Sequence, residues 1–164
     1  MLKFGTSAKL AAVAAALLLA ACASKKPAEV APPVAASETI APGSARDFEV
    51  NVGDRVFFDY DRYDLDGNDQ ATLQKQAAWL NKYPSVMINV EGHCDERGTR
   101  EYNLALGARR ANSVKEFLAS LGVSRSRMET ISYGKEKPTC VESNEACWAQ
   151  NRRGVSLITG GTTS

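Results

Sequence analysis

Apolar and polar positions change rhythm several times along this chain, and each rhythm predicts an element. Phe48, Val50 and Val52 alternate with polar residues as a half-buried strand does, and Gly53-Asp54 marks a turn. Arg55 to Tyr60 is a second β-rich run. Leu73, Ala77 and Leu80 then recur at helical spacing within a helix predicted from about Asn68 to Tyr83, which Pro84 stops. Val86, Ile88 and Val90 alternate with Met87, Asn89 and Glu91, the clearest strand pattern in the chain. Gly92 to Arg100 is a polar loop. A second helix, from about Glu101 to Leu121, carries Leu106, Val114, Phe117, Leu118 and Leu121 on one side and ends at Gly122. Met128–Tyr133 and Val155–Thr159 complete the order β-β-α-β-α-β-β. That is too few strands for a doubly wound sheet and predicts an α+β fold, a two-layer α/β sandwich with its helices on one face.

The first 45 residues follow none of these rhythms. Lys3 and Lys9 precede an unbroken apolar run of 11 residues, Leu10–Ala20. This is too short to span a bilayer and suits a secretory signal over residues 1–21. The run ends in Leu19-Ala20-Ala21-Cys22, which resembles the bacterial lipobox. That resemblance implies lipidation at Cys22, and Ala23, in place of the Asp that resembles an inner-membrane retention signal, points to the outer membrane; the alternative is a plain signal peptide followed by chance by a cysteine. Residues 22–45 hold four of the six prolines and no aromatic residue, the composition of an extended tether. The globular domain is expected over 46–164.

Charge narrows the function further. The whole chain has 20 Lys+Arg against 19 Asp+Glu, and removal of the signal takes away two lysines. Near-neutrality argues against holding nucleic acid by charge. A single histidine excludes any site that needs two. A metal site from His93, Cys94 and Asp95 is disfavoured because contiguous residues rarely converge on one ion. In an exported protein, Cys140 and Cys147, which bracket a short polar segment, are expected to form a disulfide; two free thiols under Trp148 are the alternative.

Three segments carry a family resemblance. They are Val56-Phe57-Phe58-Asp59-Tyr60-Asp61-Arg62-Tyr63-Asp64-Leu65; the run from Val90 through Gly92-His93-Cys94-Asp95-Glu96-Arg97-Gly98 to Arg109-Arg110-Ala111; and Ser132-Tyr133-Gly134-Lys135-Glu136-Lys137-Pro138, closed by Asn151-Arg152-Arg153. Together they resemble the OmpA C-terminal-like domain, in the form carried by peptidoglycan-associated lipoproteins, over about Asp47 to Thr159. The resemblance implies a module without catalytic residues or cofactor that grips meso-diaminopimelate of the peptidoglycan stem peptide. It implies that Asp95 and Arg110 contact that residue, that Asn103 and Leu106 shape the pocket, and that Asp59 and Arg152 stand at its rim. It also implies membership of the Tol-Pal system, with a TolB-type β-propeller as protein partner. Cys94 departs from the family, which usually has a small residue such as Ala or Thr there.

The chemistry is self-consistent. The free end of diaminopimelate is a zwitterion, so its site must offer an anion and a cation a few Å apart. A carboxylate takes the ammonium, and a guanidinium takes the carboxylate in a planar fork that lysine cannot reproduce. The competing reading, a peptidoglycan hydrolase or amidase, lacks a Gly-x-Ser-x-Gly elbow and metal-ligand spacing.

Overall fold

The computed structural model describes residues 40–162, so the predicted signal, Cys22 and most of the predicted tether lie outside the described residues. Four strands form one sheet in the order β1-β4-β2-β3: β1 (Arg55–Phe57), β2 (Met87–His93), β3 (Met128–Gly134) and β4 (Arg153–Gly160). β4 runs antiparallel to both β1 and β2, whereas β2 and β3 are parallel. A parallel neighbour requires a crossover, and α3 (Arg100–Ser120) supplies it. Helix α2 (Gly67–Lys82) connects β1 to β2. The α+β sandwich expected from the pattern is the fold observed.

Local chemistry accounts for the helix ends. Asp66 accepts from the backbone N–H of Asp69 while the Asp69 carboxylate accepts from that of Asp66, a reciprocal capping box that starts α2. Thr99 caps α3 by accepting from Tyr102 N–H. The apolar stripes predicted on the two helices meet the sheet. Leu73, Ala77 and Leu80 of α2 and Val114 and Leu118 of α3 are buried with Val56, Ile88, Val90 and Met128 of the strands. Helix α3 lies unusually close to β2, because a Cβ on Gly92 would collide with the Gly107 backbone carbonyl and one on Gly107 with Ser132 and Gly92. Two glycines facing each other set this spacing.

The strand expected at Phe48–Val52 is not there. A short helix, α1 (Ala45–Asp47), runs into a π-helical turn over Phe48–Val52, closed by Gly53 N–H donating to the Phe48 carbonyl at 3.0 Å. Burial shows why: Phe48 is in the core against Trp79, with ring centroids 4.9 Å apart, while Val50 is exposed. The Asp47 carboxylate also accepts from the Trp79 indole N–H at 2.8 Å. Packing onto one aromatic residue of α2 overrode a two-residue alternation. A second difference is α4 (Glu145–Asn151), in a stretch whose predicted content was only a polar segment. Asn144 caps it by accepting from Cys147 N–H, and the Cys140–Cys147 disulfide fastens its first turn to the preceding loop. No helix among the described residues is long and apolar enough to cross a membrane.

Candidate functional site

The polar loop between β2 and α3 is where the sheet releases its most chemically active residues. Asp95 sits two residues beyond β2 and is 4% exposed. Its carboxylate accepts from the Arg97 backbone N–H at 3.1 Å and from the Arg97 guanidinium at 3.1 and 2.6 Å. A second cation, Arg152, reaches the same carboxylate at 3.4 Å. Burial alone would raise the Asp95 pKa, but the side-chain and backbone bonds from Arg97, with that from Arg152, outweigh it and hold the pKa below the usual carboxylate value. Asp95 is therefore a buried, fixed anion.

Arg110 approaches from the third turn of α3 and is 1% exposed. Three of its N–H groups are spent on backbone carbonyls: Nε on Arg62 at 2.8 Å, Nη1 on His93 at 2.8 Å and Nη2 on Asp59 at 3.1 Å. The guanidinium lies 5.2 Å from the Phe58 ring centroid. Burial lowers its pKa, with Cys94 and Asp95 opposing that effect. A guanidinium has five N–H donors, so this anchoring fixes its plane without exhausting it. The β1–α2 loop, the end of β2 and α3 all converge on this one side chain.

Asp95, Arg110, Asn103 and Leu106 line a single cleft of about 160 Å³. Asp95 and Arg110 share the cleft without pairing with each other. Asn103 has a role beyond shaping the wall: its amide donates to the carbonyls of Arg97 at 2.8 Å and Thr99 at 3.0 Å. Asp59 and Arg152 instead line a second cavity, of about 320 Å³, beside Phe57, Phe58 and Gln150. Arg152 thus lines the second cavity while also bonding to a residue of the first. Its Nε donates to the Phe58 carbonyl at 2.9 Å, and its other nitrogens reach Asp95 and, at 2.7 Å, Glu145. Cys94 is buried, its thiol donates to the Asn103 carbonyl at 3.3 Å, and burial raises its pKa. The Cys94 side chain packs the back wall. Among the described residues no cluster of His, Cys, Asp and Glu could hold a metal ion.

Several residues of the cleft were not singled out from sequence. Tyr60, Asp61, Arg97, Gly98 and Tyr102 also line it. Arg97 is the most consequential, because its guanidinium lies 4.1 Å from the ring centroids of both Tyr60 and Trp148 while it holds Asp95. The Tyr102 hydroxyl donates to Asp61, tying α3 to the loop after β1. The Asp-x-Arg spacing of the loop was the available signal for Arg97. Nothing in sequence placed Trp148 across from Tyr60.

Both the sequence and the fold have known relatives. The OmpA family model matches residues 57–152. The peptidoglycan-associated lipoprotein of Agrobacterium fabrum is 54% identical, covering 98% of this chain and 92% of that protein. The protein of the same name from Rhizobium meliloti is 56% identical over 88% of this chain and 83% of its own length. Among solved structures, the peptidoglycan-associated lipoprotein of Burkholderia pseudomallei superposes with a TM-score of 0.63 at 46% identity, covering 65% of this chain and 90% of that one. The C-terminal domain of Helicobacter pylori MotB, at 23% identity and a TM-score of 0.61, covers 65% of this chain and 84% of its own and shares the fold. With a family model spanning more than half of its residues and relatives above 50% identity over most of its length, the chain belongs to the OmpA family, among the peptidoglycan-associated lipoproteins.

Proposed function

We propose that this domain binds the free end of meso-diaminopimelate in peptidoglycan stem peptides, without chemistry, and so ties the outer membrane to the wall. One observation carries this reading: a buried anion, Asp95, and a buried cation, Arg110, face one cleft and are each held by partners other than the other. Such a pair is available to an external zwitterion. The Asp95 carboxylate receives the ligand ammonium. The remaining donors of Arg110 receive the ligand carboxylate in a planar fork. Arg97 fills the cation position on Asp95 in the free protein, and its guanidinium is partly exposed, so it yields that position while keeping its contacts with Tyr60 and Trp148. Charge-assisted bonds of about 1.5–3 kcal/mol each give modest affinity per site, which many copies facing one polymer multiply.

The anchor in this reading is a lipidated Cys22 in the outer membrane, with residues 22–45 as the tether and the domain in the periplasm. A TolB-type β-propeller is the protein partner within the Tol-Pal system, competing with the wall for the same side of the domain. The test is co-sedimentation of the full chain with purified sacculi. Asp95→Asn keeps the shape and removes the charge, and Arg110→Lys keeps the charge and removes the fork; both should leave the protein in the supernatant, and free diaminopimelate should release the wild type. Undiminished sedimentation of both variants refutes the assigned pocket. Release of a muropeptide product dependent on Asp95 would establish an enzyme instead.

A further inference from the structure

The loop that carries Asp95 has no regular secondary structure between β2 and α3, yet four of its consecutive carbonyls are held by side chains. Asn103 Nδ2 donates to those of Arg97 and Thr99. From the other side, Lys135 Nζ donates to those of Glu96 at 3.0 Å and Gly98 at 2.6 Å. Lys135 reaches this loop because β3 ends against the start of α3. A Cβ on Gly134, whose φ is +49°, would stand 2.9 Å from the Leu104 backbone nitrogen, so only glycine lets the strand end there. The Gly134 carbonyl also accepts from Cys94 N–H at 2.7 Å, which fixes the loop at its entry.

We propose that Lys135 is a positioning residue for the diaminopimelate site: it does not line the cleft, but its ammonium clips the 96–98 backbone and thereby sets the Asp95–Arg97 turn before ligand arrives. This rests on the function proposed above and adds a determinant outside the pocket. The physical basis is preorganisation. Without the clip, two carbonyls lose a charged donor and turn to water, and the loop samples other conformations that binding must then order. A lysine suits the task because its three rotatable N–H donors can serve two carbonyls that are not coplanar. Asn103 alone cannot hold the loop, since it grips only the opposite pair.

The test uses the full chain in detergent and a soluble stem tripeptide ending in meso-diaminopimelate, titrated by calorimetry. Lys135→Met, which keeps the stem and deletes the donors, should weaken binding about tenfold, the size expected for losing a charge-assisted bond. Lys135→Arg should restore most of it. In the ligand-free state, amide exchange at 96–99 should accelerate in Lys135→Met, with β2 and the centre of α3 unchanged. Wild-type affinity and exchange in Lys135→Met, alongside loss of binding in Asp95→Asn, overturn this inference alone. Failure of the wild type to bind the tripeptide overturns the reading beneath it as well. Should Lys135→Met not fold, Lys135→Gln offers a shorter, uncharged amide with two N–H donors, and its affinity should fall below that of the wild type; full affinity refutes the clip.

Discussion

Acid should destabilise this domain through a single histidine, by an amount that follows from where it sits. His93 ends β2 and is 2% exposed. Its Nε2 faces Glu91 at 3.2 Å, Tyr133 packs on its ring with centroids 5.4 Å apart, and its buried Nδ1 has no hydrogen-bond partner among the described residues. Burial, with the nearby cations Arg153 and Lys137, pushes its pKa down to about 4 from 6.5. The folded state thus holds the imidazole neutral, while the unfolded chain takes up a proton below about 6.5. The stabilisation is complete above that value and drains away as pH falls toward the folded pKa. Linkage over this shift gives about 2.5 kcal/mol lost between pH 7 and pH 4.5, an average of about 1 kcal/mol per unit against a limiting slope of about 1.4. Carboxylates titrate in the same range, so the assay is the difference between wild type and His93→Gln in urea unfolding at half-unit pH steps. The variant is expected to be less stable at pH 7, and the gap should close by about that amount at pH 4.5. A gap that stays constant across the range refutes a neutral buried imidazole. The His93 carbonyl is also an acceptor for Arg110, so acid unfolding should begin at the cleft end of β2.

Three further outcomes follow from the packing. Gly107→Ala pushes a methyl into Ser132 and the Gly92 backbone and should cost about 3 kcal/mol or more by overpacking, seen as a drop in the urea midpoint; a midpoint within about 0.5 kcal/mol of wild type would mean α3 can lift off the sheet freely. Trp79→Phe deletes the bond to Asp47 and part of the Phe48 contact; about 1–2 kcal/mol of stability should be lost, with faster amide exchange confined to 44–53. Replacing Cys140 and Cys147 by serine opens a short loop, and the chain-entropy estimate is a loss of about 2.5 kcal/mol. Asn151 still grips Thr139 and Cys140 through three backbone bonds, so α4 should persist in far-ultraviolet circular dichroism, and its disappearance would show the disulfide to be its main support.

Much of this protein was legible from local pattern. Leu73, Ala77 and Leu80 marked the buried stripe of α2, and the alternation of Val86, Ile88 and Val90 marked β2, because spacing alone decides which side chains share a face. The α+β class followed from the order of such segments. Asp95 and Arg110 were legible only through the family motif, since no local rule joins residues 15 positions apart, one in a loop and one inside a helix. The structure brings them to one cleft because the short path between α3 and β2, set by Gly92 and Gly107, carries the third turn of the helix over the strand end.

What the sequence determined by itself is whatever depends on near neighbours: the stop at Pro84, turns at Gly53 and Gly122, the period of each stripe. What only the tertiary structure decided depends on partners far along the chain. Phe48–Val52 alternates like a strand but coils so that Phe48 can reach Trp79. Arg97 is shared between Tyr60 and Trp148, and Asp95 between Arg97 and Arg152. Backbone torsions respond to adjacent residues, whereas the energy of burying an aromatic ring or a charge is set by whatever the rest of the fold places beside it.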